Sequence, residues 1–318
     1  MRQAGRYMPE YRAVRQRLGF LELCRTPDAA AEVTVTAVER LGVDAAIIFA
    51  DILLVLEPMG VGLEYVADGP VIRRPVRSGA DVERLIEVPR GALAYVAEAV
   101  RRARAALPAR IALIGFAGAP FTLATYLVEG GASRDYRHTK ALMHGDPGAW
   151  DALMARLVGA VADTLSEQVA AGADAVQLFD SWVGTLSPAD YRARVLPHMR
   201  ALFAALPKGI PAIHFGTGTA GLLEALRAAG GDVIGLDWRV DLDAAWARVG
   251  HDVAVQGNLD PAALLAPIPE IRARAAAILD QAGGRPGHVF NLGHGVLPET
   301  PVDHARALVD AVHELSQR

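Results

Sequence analysis

Residues 111–128 read IALIGFAGAPFTLATYLV, eighteen positions without a charged side chain. A run of that length and apolarity could span a bilayer as one helix. Its interior excludes that. Gly115, Gly118 and Pro120 punctuate it. Ile111–Phe116 is a short apolar run of the kind buried on both faces of a sheet. Gly118-Ala119 reads as a turn, and Pro120 has the fixed φ suited to the first turn of a helix. The stretch is therefore strand, loop and helix start.

The same unit recurs along the chain. Further short runs lie at Ala45–Ala50, Ala175–Phe179, Ile210–Phe215, Val233–Leu236, Val253–Gln256 and Val289–Leu292. Each leads through a polar or glycine-rich turn into an amphipathic helix. Thr26-Pro27, Asp146-Pro147, Ser187-Pro188, Asp260-Pro261 and Thr300-Pro301 each put a capping side chain before a first-turn proline. An eighth strand would run into Met1–Gln3, with its N-terminal part missing. Successive βα units over one chain without a linker predict a single (β/α)8 TIM barrel covering residues 1–318. A doubly wound sheet is the alternative. Residues 52–89 hold only a weak strand, at Val71–Arg74, and read as an excursion from the barrel.

Composition narrows the function classes. At 52% hydrophobic residues the 318-residue chain can bury a large core, which excludes disorder. A net charge of −4 provides no global field for nucleic acid. Lys140 and Lys208 are the only lysines, a bias toward arginine from which no function follows. The single cysteine, Cys24, rules out an intrachain disulfide and any multi-thiolate metal site. No signal-like start or membrane span is legible, so a cytoplasmic protein is expected.

The chemistry-bearing residues cluster. Arg2-Gln3-Ala4-Gly5-Arg6 places two guanidinium forks on one short loop, suited to a ligand with several carboxylates. Arg12, Arg15 and Arg17 follow and read as a solvated helix face. Asp51 follows one apolar run, Asp180-Ser181 another, then His214, Asp237-Trp238, Gln256 with Asn258, and Gly293-His294-Gly295. One strand-end aspartate is usually a helix cap. A polar residue at nearly every strand end describes the C-terminal mouth of a barrel, where such folds do chemistry.

Eight stretches also resemble the uroporphyrinogen decarboxylase family of haem biosynthesis, in that family's order. They are MRQAGRYMPEYR at 1–12, FADILL at 49–54, GFAGAPFTLATYLVEGG at 115–131, QLFDSWVG at 177–184, IHFGTGT at 213–219, GLDWRV at 235–240, VQGNLDP at 255–261 and FNLGHGVLPETP at 290–301. The resemblance implies a homodimeric (β/α)8 barrel that needs neither cofactor nor metal. It implies removal of CO2 from the four acetate arms of uroporphyrinogen III to give coproporphyrinogen III. Arg2, Gln3, Ala4, Gly5 and Arg6 then match the substrate-binding loop, and Asp51 the aspartate that faces the pyrrole N–H groups. Tyr126, Ser181 and His294 match other substrate contacts. Arg2 is also the family's candidate for proton delivery. A guanidinium is a poor general acid, so Arg2 is assigned to carboxylate binding first and to proton transfer only through water. His294 titrates in a better range, unless it is a structural histidine between two glycine turns. Tyr126, taken alone, reads as core with a satisfied hydroxyl, and Ser181 as a turn residue. His214 and Trp238 are left at the mouth without a task. The segment that family members carry before the Arg-Gln-Ala-Gly-Arg loop leads us to expect that Met1 is internal to a longer natural chain.

Three other readings compete. Gly216-Thr217-Gly218-Thr219-Ala220-Gly221 fits G-x-G-x-x-G with Asp237 downstream, the cues of a dinucleotide site and a nicotinamide-dependent oxidoreductase. A cobalamin-linked methyltransferase would need zinc on His and Cys, and His214 has no cysteine near it in sequence. A porphyrinogen carrier would keep the arginines without turnover.

Overall fold

The computed structural model describes residues 3–67 and 69–317. All seven predicted strands form, and they join in one parallel sheet: β1 (Ala45–Ile47), β4 (Ala112–Gly118), β5 (Ala175–Asp180), β6 (Ala212–Gly216), β7 (Val233–Gly235), β8 (Ala254–Leu259) and β9 (His288–Leu292). Each pairs only with its neighbours in that order. The sheet curls as the strands of a (β/α)8 barrel do, with helices between successive strands.

The expected eighth strand falls mostly on Met1 and Arg2, which lie outside the described residues, and of that segment the Gln3 side chain meets the edge of β1. The Ile48 N–H donates to the Ile114 carbonyl of β4 at 3.0 Å. Ala45 and Ile47 point the other way, as alternate residues of a strand must. There the Gln3 amide completes the pairing. Its Nε2 donates to the Ala45 carbonyl at 2.6 Å, and its Oε1 accepts from the Ile47 N–H at 3.0 Å. One carboxamide thus supplies the donor and acceptor that a strand backbone would offer this edge.

The excursion holds more than sequence indicated. β2 (Leu63–Val66) and β3 (Gly69–Ile72) form an antiparallel hairpin outside the barrel sheet. The predicted strand at Val71–Arg74 is shifted: Arg73 and Arg74 still donate to the Gly62 and Val61 carbonyls, but beyond the regular ladder. Val76 donates to the Leu127 carbonyl, which anchors the excursion on helix Pro120–Glu129.

Of the five predicted caps, Asp146, Ser187 and Asp260 accept backbone N–H bonds as expected. Thr26 instead donates to the Glu22 carbonyl of the preceding helix. The Thr300 hydroxyl is buried without a partner. Aromatic and amide side chains line the barrel interior. Phe116, Phe179 and Phe215 meet edge to face, at 5.5 and 5.9 Å between centroids. Beside them Gln256 reaches Gln177 at 3.4 Å. A second core lies between the sheet and the helices, where Trp150 and Trp246 are almost wholly enclosed.

Candidate active site

Parity along β5 and β6 decides what faces the mouth. Gln177 and Phe179 point into the barrel, so Val176, Leu178 and Asp180 point into the helical layer. Ile213 and Phe215 point inward, so His214 points outward. The structure corrects the expectation for His214. Its ring packs on Phe203 of helix Leu196–Ala205, 5.2 Å between centroids, and a Cβ on Gly231 would stand 3.2 Å from its own. It is fully enclosed, and neither ring nitrogen makes a hydrogen bond of good geometry. Burial lowers its pKa to about 4, and the carbonyls of Gly230 and Leu226 offset only part of that cost.

Asp180 is likewise a helix-layer residue. Its Oδ1 accepts from the Thr122 hydroxyl at 2.7 Å, while Oδ2 and the nearby Tyr191 hydroxyl are buried without partners. Burial raises its pKa to about 7, against the Thr122 hydrogen bond that lowers it. Thr122 Oγ1 also accepts from the Trp182 N–H at 3.2 Å, so this cluster fixes the turn that follows β5. That turn presents Ser181, half-buried, at the mouth.

Asp51 stands just past β1, half-buried. Its Oδ1 accepts from the Leu53 N–H at 2.8 Å and from the Tyr65 hydroxyl at 2.5 Å. Both bonds fix the orientation of the carboxylate. The Tyr65 phenol is pushed far up, first by burial and then by the charge of Asp51, so it stays protonated and donates. Tyr65 arrives on β2, and its ring packs on Phe20 at 4.8 Å. Tyr126 lies close enough to bear on the Tyr65 phenol and packs on Trp182 at 6.0 Å. Tyr136 also packs on Trp182, at the same distance. Tyr65, Tyr126 and Trp182 pack against one hydrophobic core, with Asp51 bonded to Tyr65 and Ser181 next to Trp182 in the chain.

The opening loop sits on the same rim. Ala4, Tyr7 and Met8 pack with Leu259 at the end of β8 and with Val296 just beyond His294. The Tyr7 hydroxyl donates to the Gln3 carbonyl at 2.6 Å, and the Met8 N–H to the Gly5 carbonyl at 2.9 Å. Arg6 is exposed at the turn, and Arg12 donates to its carbonyl at 3.0 Å. Arg12 therefore supports the loop instead of merely facing solvent; Arg17 is solvated as expected. Arg2 lies outside the described residues. His294 is half-buried, 6.3 Å from Phe215 and 6.5 Å from Trp238 between ring centroids. Gly293 permits this: a Cβ there would stand 2.5 Å from the Trp238 backbone nitrogen.

The rival motifs are used structurally. The Gly218 N–H donates to Asp237 at 2.6 Å, and Gly184 packs so closely on Thr217 and Gly218 that no side chain fits between. The Asp237 carboxylate also holds Arg239 at 2.6 Å. The glycine loop is tied down by the very aspartate that a nucleotide ribose would need. Cys24 is 1% exposed, its thiol pushed up to about 12, chiefly by burial. Among the described residues no three His, Cys, Asp or Glu side chains are grouped to hold a metal ion, and no helix is long and apolar enough to cross a membrane.

Comparison with known proteins places this arrangement. Residues 1–315 match the model of the uroporphyrinogen decarboxylase (URO-D) family. The chain belongs to the uroporphyrinogen decarboxylase family. It is 59% identical over 318 residues to the uroporphyrinogen decarboxylase of Sorangium cellulosum, covering 99% of this chain and 91% of that one. It is 57% identical over 324 residues to that of Roseiflexus sp., covering 99% and 93%. Among solved structures, a methyltransferase from Methanosarcina mazei superposes with a TM-score of 0.80 at 19% identity, covering 95% of this chain and 90% of the other. At that identity the likeness speaks for the barrel fold alone. The sequence reading missed Tyr65, Trp182 and the supporting role of Arg12. Tyr65 lies in the excursion and Arg12 on the first helix, away from any strand end, while Trp182 follows Asp180-Ser181 but is apolar and was passed over among the polar strand-end residues.

Proposed function

We propose that this chain decarboxylates uroporphyrinogen III, removing its four acetate carboxyls in turn to give coproporphyrinogen III without a cofactor or metal. The observation that carries this reading is the Asp51 carboxylate, fixed at the mouth by the Leu53 N–H and the Tyr65 hydroxyl. A porphyrinogen presents four N–H donors at its centre and eight carboxylates at its edge. An ionised carboxylate can accept several of those N–H bonds and hold the flexible ring around itself.

The chemistry then follows from the pyrrole. A proton adds to a ring carbon, which leaves positive charge spread toward the nitrogen. The bond to the acetate carboxyl breaks, its electron pair flows into that cation, and CO2 departs. The exocyclic methylene left behind takes up a proton, and the ring carbon loses the one it gained. The net change replaces CO2 by a proton at each arm. Asp51 beside the nitrogens stabilises the cationic stage, an effect on the order of a few kcal/mol in the barrier. Arg6, with Arg2, neutralises carboxylate arms at the rim. Tyr126, Ser181 and His294 contact the substrate, and Arg2 delivers the proton through water. In the cell we propose a cytoplasmic homodimer.

The test is product formation from uroporphyrinogen III by the wild-type protein, Asp51→Asn and Arg6→Ala. Turnover by the wild type with loss in both variants is expected. Near-normal rates in both would defeat the assignment, and a protein that binds the substrate without product would be a carrier.

A further inference from the structure

The loop after β7 has no task in the reaction proposed above, yet it is one of the most firmly built parts of the mouth. Asp237 is 1% exposed. Its Oδ2 accepts from the Gly218 N–H and from Arg239 Nη1, both at 2.6 Å, and its Oδ1 from the Arg239 N–H at 3.1 Å. Asn258 donates to the Asp237 and Val240 carbonyls at 2.9 and 2.7 Å and pins the loop from below. The Arg239 guanidinium lies over the Trp238 ring, with its central carbon 4.0 Å from the centroid. Trp238 in turn meets His294 edge-on.

The result is a cation held in place before any ligand arrives. Stacking and the ion pair restrain a side chain that is ordinarily free, which lowers the entropy lost on binding. The pair is also lopsided. Its negative end is enclosed, while the Arg239 side chain is 48% exposed. Nε and Nη2 donate to no group among the described residues. Two donors of a planar fork therefore face outward, the geometry that matches one carboxylate.

The position fits the same ligand. With the expected strand before β1 counted as first, β1 is second and β7 sixth in the order around the barrel. Asp51 and Arg239 thus rise from opposite sides of the mouth. A ring centred on Asp51 sends its carboxylate arms outward across that mouth. We propose that Arg239 is a specificity-determining residue that takes one carboxylate arm of the macrocycle on the His294 side. The inference rests on the reaction proposed above for its substrate.

The competing explanation is that Arg239 only neutralises the buried Asp237. Steady-state kinetics on uroporphyrinogen III separate the two, using wild type, Arg239→Gln and the double variant Asp237→Asn with Arg239→Gln. We expect KM to rise roughly tenfold in the single variant, with kcat within about twofold and a weaker dependence of kcat/KM on salt. The double variant removes the unpaired buried charge, so it should fold even if the single variant does not, and its KM should stay high. A wild-type KM in the double variant overturns the proposal, as does an unchanged KM in the single one. If the wild type yields no product, the reaction itself fails. The same comparison then uses the dissociation constant for uroporphyrin, the oxidised octacarboxylate. Tenfold weaker binding without Arg239 supports the site, and equal binding refutes it.

Discussion

Replacing Asp180 with asparagine should change how stability responds to pH, and the structure gives the size of the change. Asp180 is fully enclosed, and its pKa rises from 3.8 to about 7. The folded protein therefore holds a proton that the unfolded chain releases. Stability is highest below the unfolded value and falls as pH rises toward about 7. The shift spans about three pH units, or about 4 kcal/mol at about 1.4 kcal/mol per unit. His214 acts in the opposite sense. Its pKa falls from 6.5 to about 4, so it favours folding above pH 6.5 and loses that contribution, about 3 kcal/mol, as pH falls toward 4. Between pH 4 and 6.5 the two slopes cancel. Asp180→Asn keeps an oxygen to accept from Thr122 and carries no charge. It should match the wild type near pH 4 and gain on it steadily, to as much as about 4 kcal/mol above pH 7. Urea unfolding of both proteins, followed by tryptophan fluorescence at several values from pH 4.5 to 8, measures the difference directly, and all other titrations drop out of it. A difference that stays constant across this range would refute the reasoning.

Tyr65→Phe deletes the phenol that donates to Asp51 and leaves the packing on Phe20 intact. A hydrogen bond to a charged group is worth about 1.5–3 kcal/mol, so kcat should drop roughly tenfold to a hundredfold while the fold stays unchanged; a wild-type kcat would remove Tyr65 from the site. Gly293→Ala would drive a methyl group into the backbone of Trp238 and displace the loop that carries His294. It should cost about 1–3 kcal/mol in stability, read from denaturant midpoints, and weaken substrate binding together with it.

The strands were the most legible part of the fold, because each is a short apolar run between a turn and a capped helix. Their orientation was not legible. Strands buried on both faces lack the polar alternation that shows which parity faces inward. Asp180 and His214 could therefore be placed at strand ends but not assigned to the helical layer. The excursion concealed more. Leu63–Val66 is only four residues long, and its partner carries Pro70, which belongs on an edge strand. The Tyr65 hydroxyl reaches Asp51 through that hairpin, a contact between residues 14 apart that no local pattern records. Asp51 and His294 were visible because each lies a few residues past its strand, and Ser181 through the family resemblance, since alone it reads as a turn residue. Arg239 was visible only as a residue in a motif, since its stack and ion pair depend on how the loop is folded.

The Gln3 carboxamide at the edge of β1 makes one amide proton a natural reporter. The Ile47 N–H donates to Gln3 Oε1, and Gln3 belongs to the loop that carries Arg6. Exchange of that proton with deuterium requires the Gln3 side chain to leave its seat. A polycarboxylate that tethers the loop should slow exchange at Ile47 while leaving Ile48, bonded to β4, at its own rate. The seam of the barrel would then register occupancy of the rim through a single backbone position.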